Sequence, residues 1–257
     1  MKVFPASFWC WIYRLGINPF TFSLFIKEFP LYIRDYKELK KQMDKSKEFP
    51  IKASFPIFTD RNEQSGTMSG DYFHQDLFVA RKIFENNPES HIDIGSRIDG
   101  FVAHVAVFRE ITIMDIRKQT STVKNISFIQ ADLMKLPENM IDSCVSISSL
   151  HAIEHFGLGR YSDPIDFEGH IKALNNIHIM LKENGLFYFS VPIGKQRIEF
   201  NAHRVFSLPY LLMLFENKFK ILSFSYVDDK GNFFENAELT DNLIKTSCGC
   251  DYAVYLN

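Results

Sequence analysis

The regular alternation of predicted strands and helices from about residue 74 onwards constrains the fold more than any other feature of the sequence. Short apolar runs alternate with segments of helical spacing, a pattern typical of parallel strands joined by right-handed crossovers. The predicted strands are His91 to Ile94, Ile111 to Ile116, Ile126 to Gln130, Ser143 to Ser148, Leu186 to Val191, Ile221 to Val227 and Tyr252 to Leu256. The sequence therefore predicts an α/β protein with a doubly wound, Rossmann-like and mostly parallel sheet of seven strands. No clear helix separates the last two strands, which predicts an antiparallel edge strand.

Helices are predicted between these strands and in an N-terminal extension. In the domain over residues 65–257, they are Asp76 to Asn86, a helix ending at Val107, Glu168 to Lys182, and residues 204–218. Residues 1–64 are predicted to form an N-terminal helical segment. Asn18 and Pro19 form a typical helix start, Pro30 is expected to end that helix, and a second helix is expected over residues 31–46.

Composition excludes several classes of protein. Hydrophobic residues make up 46% of the 257 residues and charged residues 23%, as in a soluble globular domain. The formal net charge of -2 gives no reason to expect a nucleic-acid partner. The four cysteines lack the spacing of a disulfide framework, which predicts a reducing, cytoplasmic location. Cys248 and Cys250 could ligate zinc only with partners that the sequence does not identify.

The N-terminal segment allows two interpretations. Its apolar run from Phe4 to Tyr13 is shorter than the ~20 residues that a membrane-spanning helix needs. Residues 1–47 carry nine Lys or Arg against four Asp or Glu, mixed with aromatic residues, and could lie on an anionic membrane surface. The preferred interpretation is a helical cap packed on the following domain.

Polar residues follow four of the predicted strands at their carboxyl ends, where doubly wound sheets bind their ligands. The first strand leads into a turn in which Gly95 permits close approach of a ligand. Asp115 ends the second strand 22 positions after Asp93, an interval at which a carboxylate can accept both ribose hydroxyls. Asp132 follows the third strand, where its carboxylate could accept from an adenine amino group. A lone Asp after a strand is commonly a cap or turn residue, but four ordered strand ends together indicate a nucleotide-like cofactor.

These motifs, in this order, resemble the class I S-adenosylmethionine-dependent methyltransferase superfamily. Within it, the sequence is most similar to an uncharacterised family, DUF268. The matching stretches are Tyr72 to Asp76, His91 to Phe101, Ser149 to Asp166 and Phe200 to Arg204. The resemblance covers roughly residues 65–257 and implies S-adenosylmethionine as the cofactor.

The resemblance also implies where each group of residues would lie. Asp93 and Gly95 would lie beside the methionine part of the cofactor, Asp115 would hold the ribose, and residues 132–133 would flank the adenine. Arg97 departs from the usual glycine-rich continuation, and it could bind a carboxylate of cofactor or substrate or be a surface, ion-paired arginine. The expected cofactor-binding residues are Tyr72, Asp93, Gly95, Ser96, Arg97, Asp115, Ile116, Asp132, Leu133, Ser148 and Ser149.

Three histidines and a glutamate are the candidate catalytic residues. An oxygen nucleophile profits from a general base, and histidine suits that role with an unperturbed pKa of about 6.5. His151 and His155 stand just beyond the fourth strand, His203 follows the fifth, and Glu154 could orient an imidazole or bind a substrate hydroxyl. In the alternative interpretation, these residues only cap and pair at the start of a helix.

The segment from His151 to His155 also has the H-x-x-E-H spacing of inverted zinc proteases. That motif requires an established helix, whereas here the segment directly follows an apolar strand. A methyltransferase that uses a metal at Asp163 or Asp166 is a second alternative. Neither is preferred, and the prediction is a site without metal.

The glycine-rich segment from Phe156 to Pro164 predicts a loop beside the site, either a substrate lid or a merely structural loop. The preferred function is methylation of a small-molecule acceptor, with a hydroxyl of a sugar or glycan precursor as the expected target. An NAD-dependent oxidoreductase and a non-catalytic binding or scaffold protein are the alternatives. The first glycine loop lacks G-x-G-x-x-G, which disfavours the oxidoreductase.

Overall fold

The computed structural model describes residues 19–43, 49, 51–62, 64–66, 68–135, 138–239 and 252–256. The chain forms two compact units, Met1–Thr67 and Met68–Asn257. No helix in the described part of the chain is long and apolar enough to cross a membrane.

The first unit contains one long helix, α1 (Pro19–Met43), and not the two helices predicted on either side of Pro30. Proline inside a helix removes one backbone hydrogen bond and costs about 3 kcal/mol. Aromatic packing on both sides of the proline offsets this cost, because Phe58 lies 5.3 Å from the ring of Phe25 and 5.9 Å from that of Tyr32. Local breaker signals were therefore overridden by packing within the unit.

The second unit is built on one sheet with a separate hairpin. Its described strands are β1 (Ile92–Ile94), β2 (Ile111–Asp115), β3 (Ile126–Gln130), β4 (Cys144–Leu150), β5 (Leu181–Ser190), β6 (Pro192–Ile193), β7 (Arg197–Glu199), β8 (His203–Val205), β9 (Phe224–Val227), β10 (Phe233–Phe234) and β11 (Tyr252–Leu256). The sheet has the order β10-β9-β11-β5-β4-β1-β2-β3, with β6 paired to β11, and β7 pairs with β8. The five strands from β3 to β5 are mutually parallel, which confirms the predicted parallel centre.

The number of strands and the nature of the edge differ from the prediction. The described sheet contains more than seven strands, and β11 is antiparallel but lies inside the sheet between β5 and β9. The edge beyond β9 is the two-residue strand β10, which a turn stabilised by Asp228 folds back onto β9. An apolar run of two residues shows no recognisable strand period, so β10 could not be predicted. The local sequence of β11 also does not indicate which strands it pairs with.

Helices cover both faces of the sheet. They are α2 (Asp71–Asn86), α3 (Ala103–Ala106, directly after a π-helical turn at Ile98–Val102), α4 (Gly169–Met180) and α5 (Leu208–Phe215). Short 3-10 turns lie at Asp60–Asn62, Glu138–Met140 and Ile153–His155. Helix α2 begins five residues before its predicted start, directly after Gly70. The helix predicted over residues 204–218 begins only at Leu208, because residues 203–205 pair as β8 and Pro209 favours the first helical turn.

Two clusters of buried side chains, one on each face, hold the helices to the sheet. Leu174 and Ile177 of α4 pack with Leu211 of α5 against the face that carries Ile147. Residues of α2 and α3 pack on the opposite face with Ile111 and Ile113. The doubly wound arrangement predicted from the sequence is therefore observed, and it brings the carboxyl ends of β1, β2, β3 and β4 to one edge.

Candidate active site

A crevice opens at this edge, where the strand order reverses around β1. Strand β2 lies on one side of β1 and β4 on the other, which is where ligands bind in open α/β sheets. The cavity there has a volume of about 590 Å³, within the usual range of about 300–1,000 Å³ for ligand sites. It brings together nine of the predicted site residues: Tyr72, Gly95, Ser96, Arg97, Asp115, His151, Glu154, His155 and His203.

A narrow slot of about 40 Å³ shares Gly95 and Asp115 with this cavity. The slot is lined by three further predicted residues, Ile116, Asp132 and Leu133. Its walls combine apolar side chains with three carboxylates, those of Asp115, Asp132 and Asp163. In this conformation, the slot has room for a few water molecules and not for a purine ring.

Gly95 lets the backbone turn between the two cavities. Its φ of +70° lies in the left-handed region, and a Cβ there would lie 3.1 Å from the Cβ of Ala152. A larger residue would strain the turn and push against the segment that follows β4.

Asp93, Ser148 and Ser149 lie beneath the crevice. All three side chains are fully buried, and none lines either cavity. Asp93 accepts hydrogen bonds of 2.6 Å from the hydroxyls of Ser148 and Ser96, and one of 3.1 Å from the Ser96 N–H. Burial raises the pKa of Asp93 to about 6, although these bonds favour the carboxylate. These residues therefore support the turn at Gly95 from beneath the crevice, whereas the sequence predicted that they contact a cofactor directly.

His91 completes this buried network and was not among the predicted site residues. Its Nε2 lies 3.0 Å from Ser148 Oγ, and its Nδ1 lies 2.8 Å from Ser146 Oγ. Because the Ser148 hydroxyl donates to Asp93, it must accept from His91 Nε2–H, which leaves Nδ1 to accept from Ser146. Burial lowers the pKa of His91 to about 3, so the imidazole is neutral.

Arg117 is a second residue that the sequence did not single out. Its Nε donates to Asp115 Oδ1 at 3.0 Å and its Nη2 to Oδ2 at 2.5 Å, so the guanidinium covers both carboxylate oxygens. Its Cζ lies 4.3 Å from the centre of the Tyr161 ring. Arg117 and Tyr161 line both cavities and help to separate them. The only sequence signal was a basic residue two positions after a strand-end acid, close enough to fold back on it.

Tyr72 and Arg97 form part of another wall. The Arg97 Cζ lies 5.2 Å from the centre of the Tyr72 ring, and its Nε donates to Asp99 at 3.1 Å. Arg97 is thus an ion-paired arginine that also lines the cavity. Burial, followed by the charges of Glu154 and Asp71, raises the pKa of Tyr72 to about 12, so its phenol keeps its proton.

Glu154 is the centre of a polar cluster on the β4 side. Its Oε1 lies 3.2 Å from His151 Nδ1 and 3.6 Å from His155 Nε2. Burial alone would raise the pKa of Glu154, but the hydrogen bond and charge of His151 and the charge of His155 outweigh it, and the pKa lies below its ordinary value. The side chain is therefore a buried carboxylate at neutral pH. Its Oε2 has no hydrogen-bond partner among the described residues.

His155 is held in one tautomer by the backbone. Its Nδ1 donates to the carbonyl oxygen of Ala202 at 2.7 Å, which leaves the Nε2 lone pair available in the neutral ring. Burial lowers the pKa of His155, against an opposite effect of Glu154, so the neutral form prevails at pH 7. The ring of His203 lies 6.4 Å away. All four predicted catalytic residues thus line one cavity, and the Nε2 of His155 can accept a proton there.

Arg204 fixes the backbone around these residues from below. It is only 5% exposed, and its two Nη atoms donate to the carbonyl oxygens of Phe156 (2.5 Å) and Phe167 (3.2 Å), with longer contacts to Glu154 and Asp166. Burial lowers the pKa of this guanidinium. Its planar fork joins the turn after β4 to the end of the following loop.

The loop over residues 157–166 is organised by Asp163. The Asp163 carboxylate accepts hydrogen bonds from the N–H groups of Gly157 (2.7 Å), Gly159 (3.2 Å) and Tyr161 (3.1 Å). Gly157 has a φ of +76°, and a Cβ there would lie 1.9 Å from the Asp166 carbonyl oxygen. This bonding favours the structural interpretation of the loop, which nevertheless carries Arg160 and Tyr161 into the large cavity.

The residues that the sequence suggested as metal ligands have other arrangements or partners in the structure. Residues 153–155 form a 3-10 turn, so His151 and His155 do not share the face of a helix as a zinc protease requires. Asp166 pairs with Lys172 at 2.5 Å. Within the described ranges, no group of three or more His, Cys, Asp or Glu could hold a metal ion. Cys248 and Cys250 lie outside the described residues.

The fold and the site together define a doubly wound α/β protein with a ligand crevice at its topological switch point. Residues 102–247 match the family described as "Caenorhabditis protein of unknown function, DUF268". The match spans more than half of the chain, and the protein belongs to this family. No curated protein matches the sequence.

Solved structures similar to the chain at low identity include two methyltransferases. The 1,6-didemethyltoxoflavin-N1-methyltransferase of Burkholderia thailandensis, crystallised with 1,6-didemethyltoxoflavin and S-adenosylhomocysteine, is 16% identical over 70% of this chain and 76% of its own, with a TM-score of 0.46. An S-adenosylmethionine-dependent methyltransferase of Clostridium acetobutylicum is 14% identical over 73% of this chain and 91% of its own, with a TM-score of 0.47.

Proposed function

We propose that this protein binds S-adenosylmethionine and transfers its methyl group to a hydroxyl of a small-molecule acceptor. The observation that carries the proposal is the single crevice at the switch point. It joins Asp115 and the slot of Asp132 on one side to Glu154 and His155 on the other. A cofactor lying across Gly95 would therefore present its reactive group to the histidine cluster.

The residues present fit an adenosyl group. Asp115 offers two carboxylate oxygens to the ribose hydroxyls, and Asp132 keeps Oδ2 available while Oδ1 accepts from Met134 N–H at 3.0 Å. Ile116 and Leu133 give the slot apolar walls suited to an adenine. Arg97 would meet the cofactor's carboxylate, and the network of Asp93 would hold the turn.

The slot has to widen before an adenosyl group can enter. Arg117 covers both oxygens that the ribose would use, and with Tyr161 it lines the slot. Because Arg117 is half-exposed, we infer that its side chain turns away when the ribose takes its place on Asp115. The rigid parts of the site, from β1 to β4, need not move.

The cofactor, when bound, supplies a methyl group on a sulfonium. His155 would accept the acceptor's hydroxyl proton at Nε2 while Ala202 keeps Nδ1 protonated. Glu154 would stabilise the imidazolium that results, at 3.6 Å. The remaining contribution is alignment of the nucleophile with the methyl group, which rigid walls supply.

The finer proposal is that the acceptor is a sugar or glycan precursor. A polar cavity of about 590 Å³, bordered by Tyr72 and Tyr161, supports it. Aromatic faces and hydrogen-bonding groups around a ring-sized space are suited to a polyhydroxylated molecule.

The cofactor is tested by thermal unfolding with S-adenosylhomocysteine and, separately, with NAD. We expect stabilisation by S-adenosylhomocysteine alone, since a ligand that binds only the folded state raises the midpoint. Asp115→Ala should weaken this effect, whereas His155→Ala should retain it. Equal stabilisation by NAD would favour an oxidoreductase and contradict the proposal.

The base is tested by cofactor turnover, measured as S-adenosylhomocysteine release with an acceptor that supports activity. His155→Ala should lower kcat by about 10²–10⁴-fold, the usual worth of a general base. In the wild type, kcat should fall at acidic pH, because a protonated His155 cannot accept a proton, and burial lowers the pKa of His155 below its ordinary 6.5. Unchanged turnover in both His151→Ala and His155→Ala would show that neither acts as the base.

One observation favours a second candidate, a non-catalytic binding protein. Arg117 satisfies Asp115 as completely as a ribose would. If the guanidinium is permanent there, S-adenosylhomocysteine will not stabilise the protein at any concentration tested, and the first experiment therefore separates the two.

A further inference from the structure

Not every charged side chain that lines the large cavity is paired with an opposite charge. Arg97 is paired with Asp99, and Arg117 is paired with Asp115. Arg160 has no carboxylate within ion-pair distance anywhere in the part of the chain that the structure describes. Its Nη1 donates to the Ala202 carbonyl oxygen at 2.9 Å, and its Cζ lies 5.1 Å from the centre of the Tyr161 ring. The guanidinium is thus held in place at the cavity with donors to spare.

Two buried polar atoms of the same cavity also lack hydrogen-bond partners among the described residues. One is Oε2 of Glu154, a carboxylate oxygen that can only accept. The other is Nε2 of His203, which lies 3.8 Å from the Glu199 carboxylate, beyond hydrogen-bonding distance. Buried polar groups are normally satisfied, so each of these atoms calls for a partner from outside the described residues, such as a bound molecule.

We propose that the methyl acceptor is an anionic hydroxyl compound, whose carboxylate or phosphate binds Arg160 and His203 while its hydroxyl lies at Glu154 and His155. This inference rests on the proposed function and names the class of its acceptor. Arg160 and His155 share one anchor, the Ala202 carbonyl, which holds the anion-binding group and the proposed base in fixed relation. An anion bound there would be a short distance from the hydroxyl that loses its proton.

The arrangement also gives specificity against neutral acceptors. A neutral molecule would leave Arg160 without a counter-charge and would still have to displace water from it. An anion gains charge-assisted hydrogen bonds, which are roughly twice as strong as neutral ones. Acceptors that differ only by this group should therefore differ in affinity by about tenfold or more.

The test uses the full chain saturated with S-adenosylhomocysteine and three matched probes: glucose, glucose 6-phosphate and glucuronate. Their dissociation constants are measured by calorimetry or ligand-observed NMR for the wild type, Arg160→Ala and Arg160→Gln. We expect at least one of the two anions to bind the wild type about tenfold more tightly than glucose. The arm that shows the preference identifies phosphate or carboxylate as the group recognised. Both Arg160 variants should lose the preference.

Arg81→Ala is the control, because Arg81 lies on α2, pairs with Glu235 and lines neither cavity. It removes the same charge and should keep the preference for anions. If neither anion binds more tightly than glucose, or if the Arg160 variants keep the preference at an unchanged melting midpoint, the inference is overturned. Failure of the wild type to bind S-adenosylhomocysteine would instead overturn the proposed function, and the inference with it.

Discussion

At the scale of single residues, the ion pair of Arg117 and Asp115 occupies the position that we propose for the ribose. Arg117 lies on both oxygens of Asp115 and against the ring of Tyr161, so the protein itself provides a counter-charge for its strand-end carboxylate. A ribose would have to replace these bonds with its own. The affinity of the site for an adenosyl group is therefore a difference between two sets of contacts with one carboxylate.

Arg117→Gln should consequently bind S-adenosylhomocysteine more tightly than the wild type. The half-exposed ion pair is worth about 0.2–1 kcal/mol, which corresponds to an improvement of up to about fivefold. Dissociation constants from calorimetry would measure it, with Arg81→Gln as the control for loss of a surface charge. Weaker binding by Arg117→Gln would mean that Arg117 contacts the ligand and does not compete with it.

The strand-end residues were predictable because their positions follow from the local period of the strands. How deeply each side chain is buried could not be predicted in this way. Asp93 and Ser148 lie near the carboxyl ends of adjacent strands and were expected at the surface of the crevice, but they bond to each other beneath it. His91 joins them only because β1 and β4 are neighbours, a pairing between residues more than fifty positions apart. Arg117 was missed because a basic residue two positions after a strand-end acid does not by itself determine how its long side chain is oriented.

At the scale of elements, the loop over residues 157–166 is the part of the site that local structure determines most closely. Asp163 accepts hydrogen bonds from three backbone N–H groups of the loop. Arg204 donates to carbonyl oxygens at both ends of the segment. The loop presents Arg160 and Tyr161 without being part of the sheet. Adding even one atom where the loop contacts the backbone most closely should therefore disturb its geometry.

Gly157→Ala and Gly159→Ala form a matched pair that tests this. Both glycines have a positive φ, +76° and +70°, so both alanines suffer the same backbone strain of about 1–2 kcal/mol. At Gly157 the new Cβ would lie 1.9 Å from a backbone oxygen, whereas at Gly159 it meets the flexible end of Ile165 at 2.8 Å. Gly157→Ala should lower the free energy of unfolding clearly more than Gly159→Ala. Equal losses in urea unfolding would show that the loop yields at Gly157.

Elements that depend on packing or pairing with another segment, and not on their own residue pattern, were the ones that sequence patterns described incorrectly. Pro30 lies inside a continuous helix because aromatic packing offsets its cost. The residues before Leu208 pair with β7 as a strand, which an apolar helical pattern cannot indicate. By contrast, the predicted strand over residues 126–130 was confirmed at both ends, since its flanks carry clear turn signals.

At the scale of the whole molecule, the buried network under the crevice contains two groups whose titrations oppose each other. His91 has a pKa of about 3 in the folded protein and 6.5 ordinarily. As the pH falls below 6.5, the unfolded chain binds this proton and the folded protein does not, so stability is lost. Asp93 has a pKa of about 6 against 3.8, so the folded protein binds its proton first and stability is gained as the pH falls from 6 to 3.8. Between about pH 6 and 4 the two effects offset each other.

Replacing His91 should therefore reveal the effect of Asp93. The free energy of unfolding of His91→Gln, relative to the wild type, should rise by about 1 kcal/mol per pH unit as the pH falls from 6 to 4. Urea unfolding at several pH values would measure the difference. His178→Gln, which replaces an exposed histidine of α4, is the control. Parallel curves for the wild type and His91→Gln would show that the histidine is not held neutral by the fold.

The interior position of β11 has a consequence for how the molecule is made. Strands β5 and β9 are both synthesised before it, yet each is bonded to β11 and not to the other. Until residues 252–256 leave the ribosome, the hairpin of β9 and β10 has no neighbour to join, and β5 presents an open row of backbone groups. The sheet of the nascent protein therefore becomes continuous only when β11 pairs with both β5 and β9, which were translated earlier.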